Sequence, residues 1–364
     1  MKDRQEKSQS LGYFNFARGL GMLAVLAGHS VSPFWQAAGA EQTHALFDGA
    51  GYVLGGGVMT MFFMISGFGF YRRSTKKCLS IQTKLLLRPY WLVAAAILVT
   101  KFLLALVKHR SFWKHGGELL FTYLLGLNAE GGSTWGGIPI ESISICWFLL
   151  ALFGGWVIYN GIVQLPQKWL QWTLIAGCTL AGWLLTMVSK IWVFCIPMAL
   201  LVVGYLAAGA EIRKHQLLER KLPVWGWGLL FLIVLLSAAC GEVNIVACLW
   251  RRGLLDVAGS FCIGFLLLRL YARVMERQPG GWLFSRIETV GFQSIWIVCI
   301  HAYEKNIVPW YRLSEIFPDA PVLCVLLCFV GRCVVIWLIC LACSRVRQIW
   351  MRKRKRKAKI VIDW

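Results

Sequence analysis

Hydrophobic residues in this chain fall in long blocks rather than alternating with polar ones. Ten blocks of roughly span length carry few charges: 16–35, 52–71, 85–107, 143–161, 169–188, 191–209, 224–241, 253–270, 289–307 and 320–343. A helix crossing the hydrocarbon core needs about 20 mostly apolar residues, because lipid offers its backbone no hydrogen-bond partners. The pattern predicts an all-α integral membrane protein of about ten transmembrane helices. A signal-peptide reading of the first block, with Ala38-Gly39-Ala40 as the cleavage site, fits less well. That site lies too far past the apolar core, and Phe34 and Trp35 intervene. The longest non-spanning piece, 108–142, holds a short apolar run, ELLFTYLLGL, that reads as a surface or re-entrant helix. A glycine-rich loop, EGGSTWGGIP, follows it. The second block contains GYVLGGGVMTMFFMISGFGF, where Gly51 and Gly55 stand at the spacing that lets helices approach closely.

Composition agrees with a membrane protein: the 364 residues are 58% hydrophobic and 15% charged. Charge then orients the helices, since cytoplasmic loops retain Lys and Arg. With both termini inside, Arg72, Arg73, Lys76, Lys77, Lys84 and Arg88 fall in or beside the first inner loop. Arg213, Lys214, Arg220 and Lys221 fall in the third, and Arg269, Arg273, Arg277 and Arg286 in or beside the fourth. Outer loops carry Glu41, Asp48, Glu118, Glu130 and Glu141, with fewer bases such as Lys108, Arg110 and Lys114. The net charge of +21 is therefore largely a topology signal. The expected organisation is a single membrane domain, 1–345, followed by a basic cytoplasmic tail, 346–364. MRKRKRKAK in that tail reads as a stop signal lying against anionic lipid headgroups, not as a nucleic-acid contact, because no recognition fold accompanies it. Most of the 13 cysteines sit inside the blocks and read as small packing residues. Cys340-Leu-Ala-Cys343 has CxxC spacing, but no second pair completes a zinc set, and no metal is expected.

Ionisable groups inside spans are costly and mark functional sites by default. Six stand out: Arg18, His29, Lys101, Asp256, His301 and Arg332. Lys101 is near enough to an outer end to snorkel. Asp256 follows Arg251 and Arg252 and has a local partner at hand, though it is also a possible counter-charge for Arg332. Arg18 and His29 are eleven residues apart, which puts them within about 20° on one helix face and about 16 Å apart along it. Arg18 then stands at the inner boundary and His29 near mid-membrane, where a neutral imidazole can act as a base. His301, counted outward from residue 289, reaches a comparable depth. It would share a cavity with His29 or sit at the outer interface among Tyr303 and Trp310.

Arg18-x10-His29, Phe62-Phe63-Met64-Ile65-Ser66-Gly67-Phe68, Trp147-Phe148-Leu149 and Ser294-Ile295-Trp296-Ile297-Val298-Cys299-Ile300-His301 occur in this order. Together with the ten blocks they resemble the membrane acyltransferase 3 family, whose members O-acylate extracytoplasmic glycans. The resemblance spans nearly the whole chain. It implies a multi-pass protein of the cell membrane that takes an acyl group from cytoplasmic acyl-CoA, usually acetyl-CoA, and passes it to a hydroxyl of an extracytoplasmic glycan or small sugar. It further implies that His29 is catalytic and that Arg18 holds or positions the donor. His301 matches a histidine that recurs in the family. Ser66 would either donate a hydrogen bond to an oxyanion or bond its own helix. Arg72, Arg73, Lys84 and Arg88 gather where the CoA phosphates would lie, with Lys84 and Arg88 at i, i+4.

The chain departs from the family pattern in three places. Asn15 stands where an Asp commonly precedes the arginine by three. Lys84-x3-Arg88-Pro89 replaces a paired-arginine pattern before a proline. Only the basic tail follows the tenth block, so transfer is expected to finish in the membrane part or with another protein. The rival reading is a multi-span transporter or flippase of a small polar or sugar-linked substrate, since mid-membrane His, Asp and Arg also suit a permeation path. It lacks the internal repeats that many carriers show.

Overall fold

A computed structural model describes residues 2–31, 33–34, 51–109, 111, 113–128, 133–239, 243–245, 248–277 and 280–362; for 2–13, 113–115, 344 and 346–362 it describes the backbone alone. Trp35, the Ala38-Gly39-Ala40 site, Glu41, Asp48, Arg110 and Glu130 lie outside the described residues, as do the side chains of Lys114 and of the tail.

Each of the ten apolar blocks is helical. They form α1 (Lys2–Val31), α2 (Tyr52–Phe68) and α3 (Thr75–Val107). A short α4 (Trp113–Leu125) covers the ELLFTYLLGL run. Then come α5 (Trp147–Ile162), α6 (Lys168–Val188), α7 (Ile196–Lys214), α8 (Val224–Ala238) and α9 (Leu254–Glu276). The last are α10 (Trp282–Phe292), α11 (Ser294–Ile307), the single turn α12 (Leu313–Ile316) and α13 (Pro321–Ile362). The glycine loop closes as a two-residue hairpin, β1 (Thr134–Trp135) against β2 (Ile138–Pro139). Its turn residues Gly136 and Gly137 have φ of +58° and +80°, a conformation that a side chain disfavours.

Among the described residues, six helices are long and apolar enough to cross a membrane. The bent pair α10 and α11 makes seven if it is one span. Helices α2 and α8 are apolar but shorter, and Asn15, Arg18 and His29 interrupt the apolar run of α1. The ninth block is not the straight helix that its hydropathy suggests. It bends by 75° between Phe292 and Ser294. Beside the bend, Gly291 presses on the Asn15 carbonyl of α1, a contact that hydropathy does not encode.

Helix α7 is the hub, packed against α2, α5 and α6. Within their apolar windows, the α5 and α7 spans are 67% buried, whereas those of α3, α6 and α13 are 22% buried and face outward. Lipid tails supply little hydrophobic drive between helices, so close backbone approach at small residues has to hold the hub together. Gly67 of α2 lies on the backbone of Leu206, and Gly209 of α7 lies on Met64 O and Phe68 N. The close approaches of α2 are at Gly57, against Ile263 and Leu267 of α9, and at Gly67; Gly55 faces the backbone of Val243 instead. A π-helical stretch, Tyr52–Val58, holds Gly55, Gly56 and Gly57.

The basic residues of several connections converge on one end of the bundle. Arg213 donates to the Phe68 carbonyl at 2.8 Å and lies over the Tyr71 ring. Asn160 of α5 brackets the Arg73 backbone, accepting from its N–H at 3.1 Å and donating to its carbonyl at 3.0 Å. Arg269 donates to the carbonyls of Leu217 and Arg220. Phe14 packs against Phe68, Gly21 meets Phe62 and Gly28 meets Leu54, so α1 runs antiparallel to α2 away from this basic end.

Replacing Gly209 by Leu forces a side chain into the Met64 carbonyl, and overpacking of this kind destabilises by about 1–3 kcal/mol or more. The melting temperature of detergent-solubilised protein is expected to fall for Gly209→Leu and to hold for Gly228→Leu, whose Cβ would meet open space. Equal melting of the two variants would contradict the hub.

Candidate active site

Two faces of α1 are committed to packing. Gly21 and Gly28 turn toward α2, while Asn15 and Gly19 meet Gly291 and Ile287 of α10. At 100° per residue, Arg18 and His29 fall in the sector between those faces, about 16 Å apart along the axis. Arg18, half-buried and one turn in from the basic end, has no ion-pair or hydrogen-bond partner among the described residues. His29 lies deeper, with its ring centroid 5.3 Å from that of His301 and the planes inclined at 54°. The sequence left His301 between a shared cavity and an interfacial position; the two rings are neighbours.

Helix α11 carries His301 because the bend lets a new helix start at Ser294 and run alongside α1. Three turns of constraint then surround the imidazole. Glu304, at i+3 on the same helix, has Oε1 2.6 Å from His301 Nδ1. Arg332, reaching in from α13, donates from Nη1 to the same Oε1 at 2.6 Å. Trp310 Nε1 donates to Oε2, and Arg332 lies over the Trp310 ring with Cζ 5.6 Å from its centroid. Arg332 Nε also contacts Cys328 Sγ at 3.3 Å. His301, Glu304 and Arg332 are each at most 1% exposed.

This geometry fixes a tautomer. An unprotonated Nδ1 would set its lone pair against a carboxylate oxygen at hydrogen-bond distance, so Nδ1 carries the proton and donates it to Glu304. Arg332 Nη1 and Nδ1 stand 3.3 Å apart because two donors converge on one oxygen. The opposite nitrogen, Nε2, is buried without a hydrogen-bond partner among the described residues and presents its lone pair.

Glu304 and Trp310 were not among the intramembrane groups picked out from sequence. The available signal was the i, i+3 spacing of His301 and Glu304, which places them on one helix face. Asp256 does not pair with Arg332. It accepts from Ser237 Oγ and from the Arg252 N–H, both at 2.7 Å, near the start of its own helix. Lys101 pairs with Glu141 at 3.2 Å, since the chain after the hairpin brings that carboxylate to the end of α3.

Two family-like motifs meet in the core. Phe63 of the α2 motif stacks on Phe148 of α5 at 4.9 Å, with Tyr205 of α7 on its other side at 6.0 Å. Ser66, level with the start of the apolar part of α1 and not with His29, accepts a hydrogen bond from Trp156 Nε1 at 2.8 Å. Arg72 is exposed and donates to the Gln164 carbonyl at 3.2 Å, while Arg73 lies over Trp156. Lys84 and Arg88 are exposed on α3, but Lys84 lies within a π-helical segment, Thr83–Leu87, that ends just before Arg88, so the α-helical i, i+4 alignment is not their local geometry. Among the described residues, no group of three His, Cys, Asp or Glu side chains is placed to hold a metal ion.

Removing one partner of a buried ion pair strands the other's charge, at about 3–5 kcal/mol, whereas replacing both by apolar groups is often close to neutral. Arg332→Met is therefore expected to lower thermal stability sharply, and Glu304→Leu/Arg332→Met to recover most of the loss. A double-variant cycle on melting temperature checks this, and strict additivity of the two single losses would contradict the pairing.

Comparison with curated proteins finds no match, and comparison with solved structures finds none either. A family model does match. The acyltransferase 3 model, described as an acyltransferase domain, covers residues 11–242, more than half of the chain. The matched region takes in Arg18, His29, Ser66 and the basic residues of the α2–α3 connection. The apolar helical bundle, the Arg18-x10-His29 face of α1 and this match lead to one conclusion: the chain belongs to the acyltransferase 3 family of membrane acyltransferases.

Proposed function

We propose that this protein moves an acyl group, acetyl in the first instance, from cytoplasmic acyl-CoA to a hydroxyl of an extracytoplasmic glycan or small sugar, within a cell membrane crossed by about ten spans. The basic end of the bundle is then the cytoplasmic side. The observation that carries this reading is the single face of α1 that joins an arginine near the basic end, without a partner among the described residues, to a histidine pair deeper in the bundle. In this reading Arg18 contacts the donor, with Arg72, Arg73, Lys84 and Arg88 offering phosphate contacts at its mouth. The pantetheine arm, extended along α1, brings the thioester to His29 about 16 Å deeper.

The transfer balances without a covalent enzyme intermediate. The acceptor oxygen forms a bond to the acyl carbon, the carbon–sulfur bond of the thioester breaks, and the hydroxyl proton passes to His29. It then goes to the departing CoA thiolate, leaving the free thiol and His29 as before. Ser66 is held by Trp156 at the level of Arg18, so its contribution is to that end of the path.

A positioned base typically supplies about 10²–10⁴-fold, so His29→Ala should reduce acyl transfer by that order while leaving insertion and monodispersity intact. Retained turnover in the purified variant would sink the assignment. Arg18→Ala should weaken binding of a non-hydrolysable acetyl-CoA analogue in calorimetry, and an unchanged isotherm would remove Arg18 from the donor site.

A further inference from the structure

The buried group around His301 has more polar machinery than helix packing needs. Glu304 receives donors from three directions: His301 on its own helix, Trp310 in the connection that follows, and Arg332 from α13. All of this converges on one side of the His301 ring. The other side, Nε2, is buried, carries a lone pair and has no hydrogen-bond partner among the described residues. The ring neighbouring that of His301 is His29. Lys305 is the other charged side chain on this stretch of α11; from α1 the group facing the pair is His29, and from α13 it is Arg332.

Resting on the acyl-transfer reading above, we propose that Glu304 and His301 are positioning residues for His29. Glu304, held by Arg332 and Trp310, locks the His301 proton on Nδ1, and the bare Nε2 of His301 accepts the N–H of His29. The second nitrogen of His29 is thereby left bare toward the acceptor hydroxyl. Centroids 5.3 Å apart leave room for two ring nitrogens aimed along the line between them to come within about 3 Å, a hydrogen-bond length. The His29 ring reaches that arrangement by turning about its terminal torsion, which is broad for histidine. The arrangement determines which nitrogen of the base is free, as a buried carboxylate does for a catalytic histidine elsewhere. It also gives the buried Glu304–Arg332 pair a role in which charge is required, because a neutral acceptor would hold the Nδ1–H less firmly.

Variants at His301 leave the Glu304–Arg332 pair intact and separate positioning from packing. A glutamine side chain can donate to Glu304 and accept from His29; leucine can do neither. The probe is acetyl-CoA supplied to membrane vesicles from cells expressing the chain, with released CoA thiol measured above vesicles that lack it. For His301→Leu, kcat should fall about 10²-fold, the order of a general-base contribution, with KM for acetyl-CoA unchanged. His301→Gln should keep kcat within about tenfold of wild type, as the weaker but still oriented arrangement requires. If His301→Leu does not yield monodisperse protein, Glu304→Gln serves, with kcat reduced and KM unchanged.

Wild-type kcat in the folded His301→Leu or Glu304→Gln variant overturns the proposal. So does a folded His301→Gln as inactive as His301→Leu, which would make His301 itself the proton acceptor. These outcomes leave acyl transfer by the wild type standing. Wild-type vesicles that release no more thiol than those lacking the chain overturn acyl transfer, and the positioning role with it.

Discussion

A charged group inside an apolar bundle has to be paired, and that requirement organises the deep end of this site. Arg332 and Glu304 are fully enclosed, and each is tolerable there only because the other is within hydrogen-bond distance. Meeting that condition ties α11 to α13 and draws in Trp310 from the connection between them. It also aims the His301 imidazole, since the carboxylate that neutralises the arginine is the one that fixes the ring's proton. The bend before Ser294 belongs to the same constraint: without it, α11 would not start where His301 reaches α1.

Much of this was legible in the sequence. The apolar blocks predicted the helices, and the spacing of Arg18 and His29 put them on one face of α1. Gly21 and Gly28 then left that face clear of the α2 contact. What sequence could not supply was the counter-charge for Arg332. Asp256 was a plausible partner from its place in an apolar block, yet its carboxylate is taken by Ser237 and the Arg252 backbone. The actual partner, Glu304, lies in the ninth block, where hydropathy shows one span and the backbone makes two helices. The breaking contact, Gly291 on the Asn15 carbonyl, joins residues far apart in the chain. Asn15, read from sequence as a departure from the family pattern, sits at that junction.

The small residues of the hub and the ionic group of the site divide the structural work. Glycines at the α2–α7 crossing let backbones touch where lipid supplies no hydrophobic drive, and they set the relation of the Phe63 motif to the Trp147 motif. On the other side of α1, α10, α11 and α13 carry the polar apparatus. Helix α1 lies between these two halves, with Arg18 and His29 in the sector between its contacts. In the acyl-transfer reading that face takes the charged donor at its basic end and the acceptor hydroxyl beside the histidine pair.

The most direct test of that reading is mass spectrometry of cell-surface glycans from cells with and without the gene. The account predicts glycan species heavier by one acetyl or other short acyl group when the gene is present, lost on its deletion and restored by the wild-type chain. Identical glycan masses in the two strains, with the protein confirmed in the membrane, would contradict it.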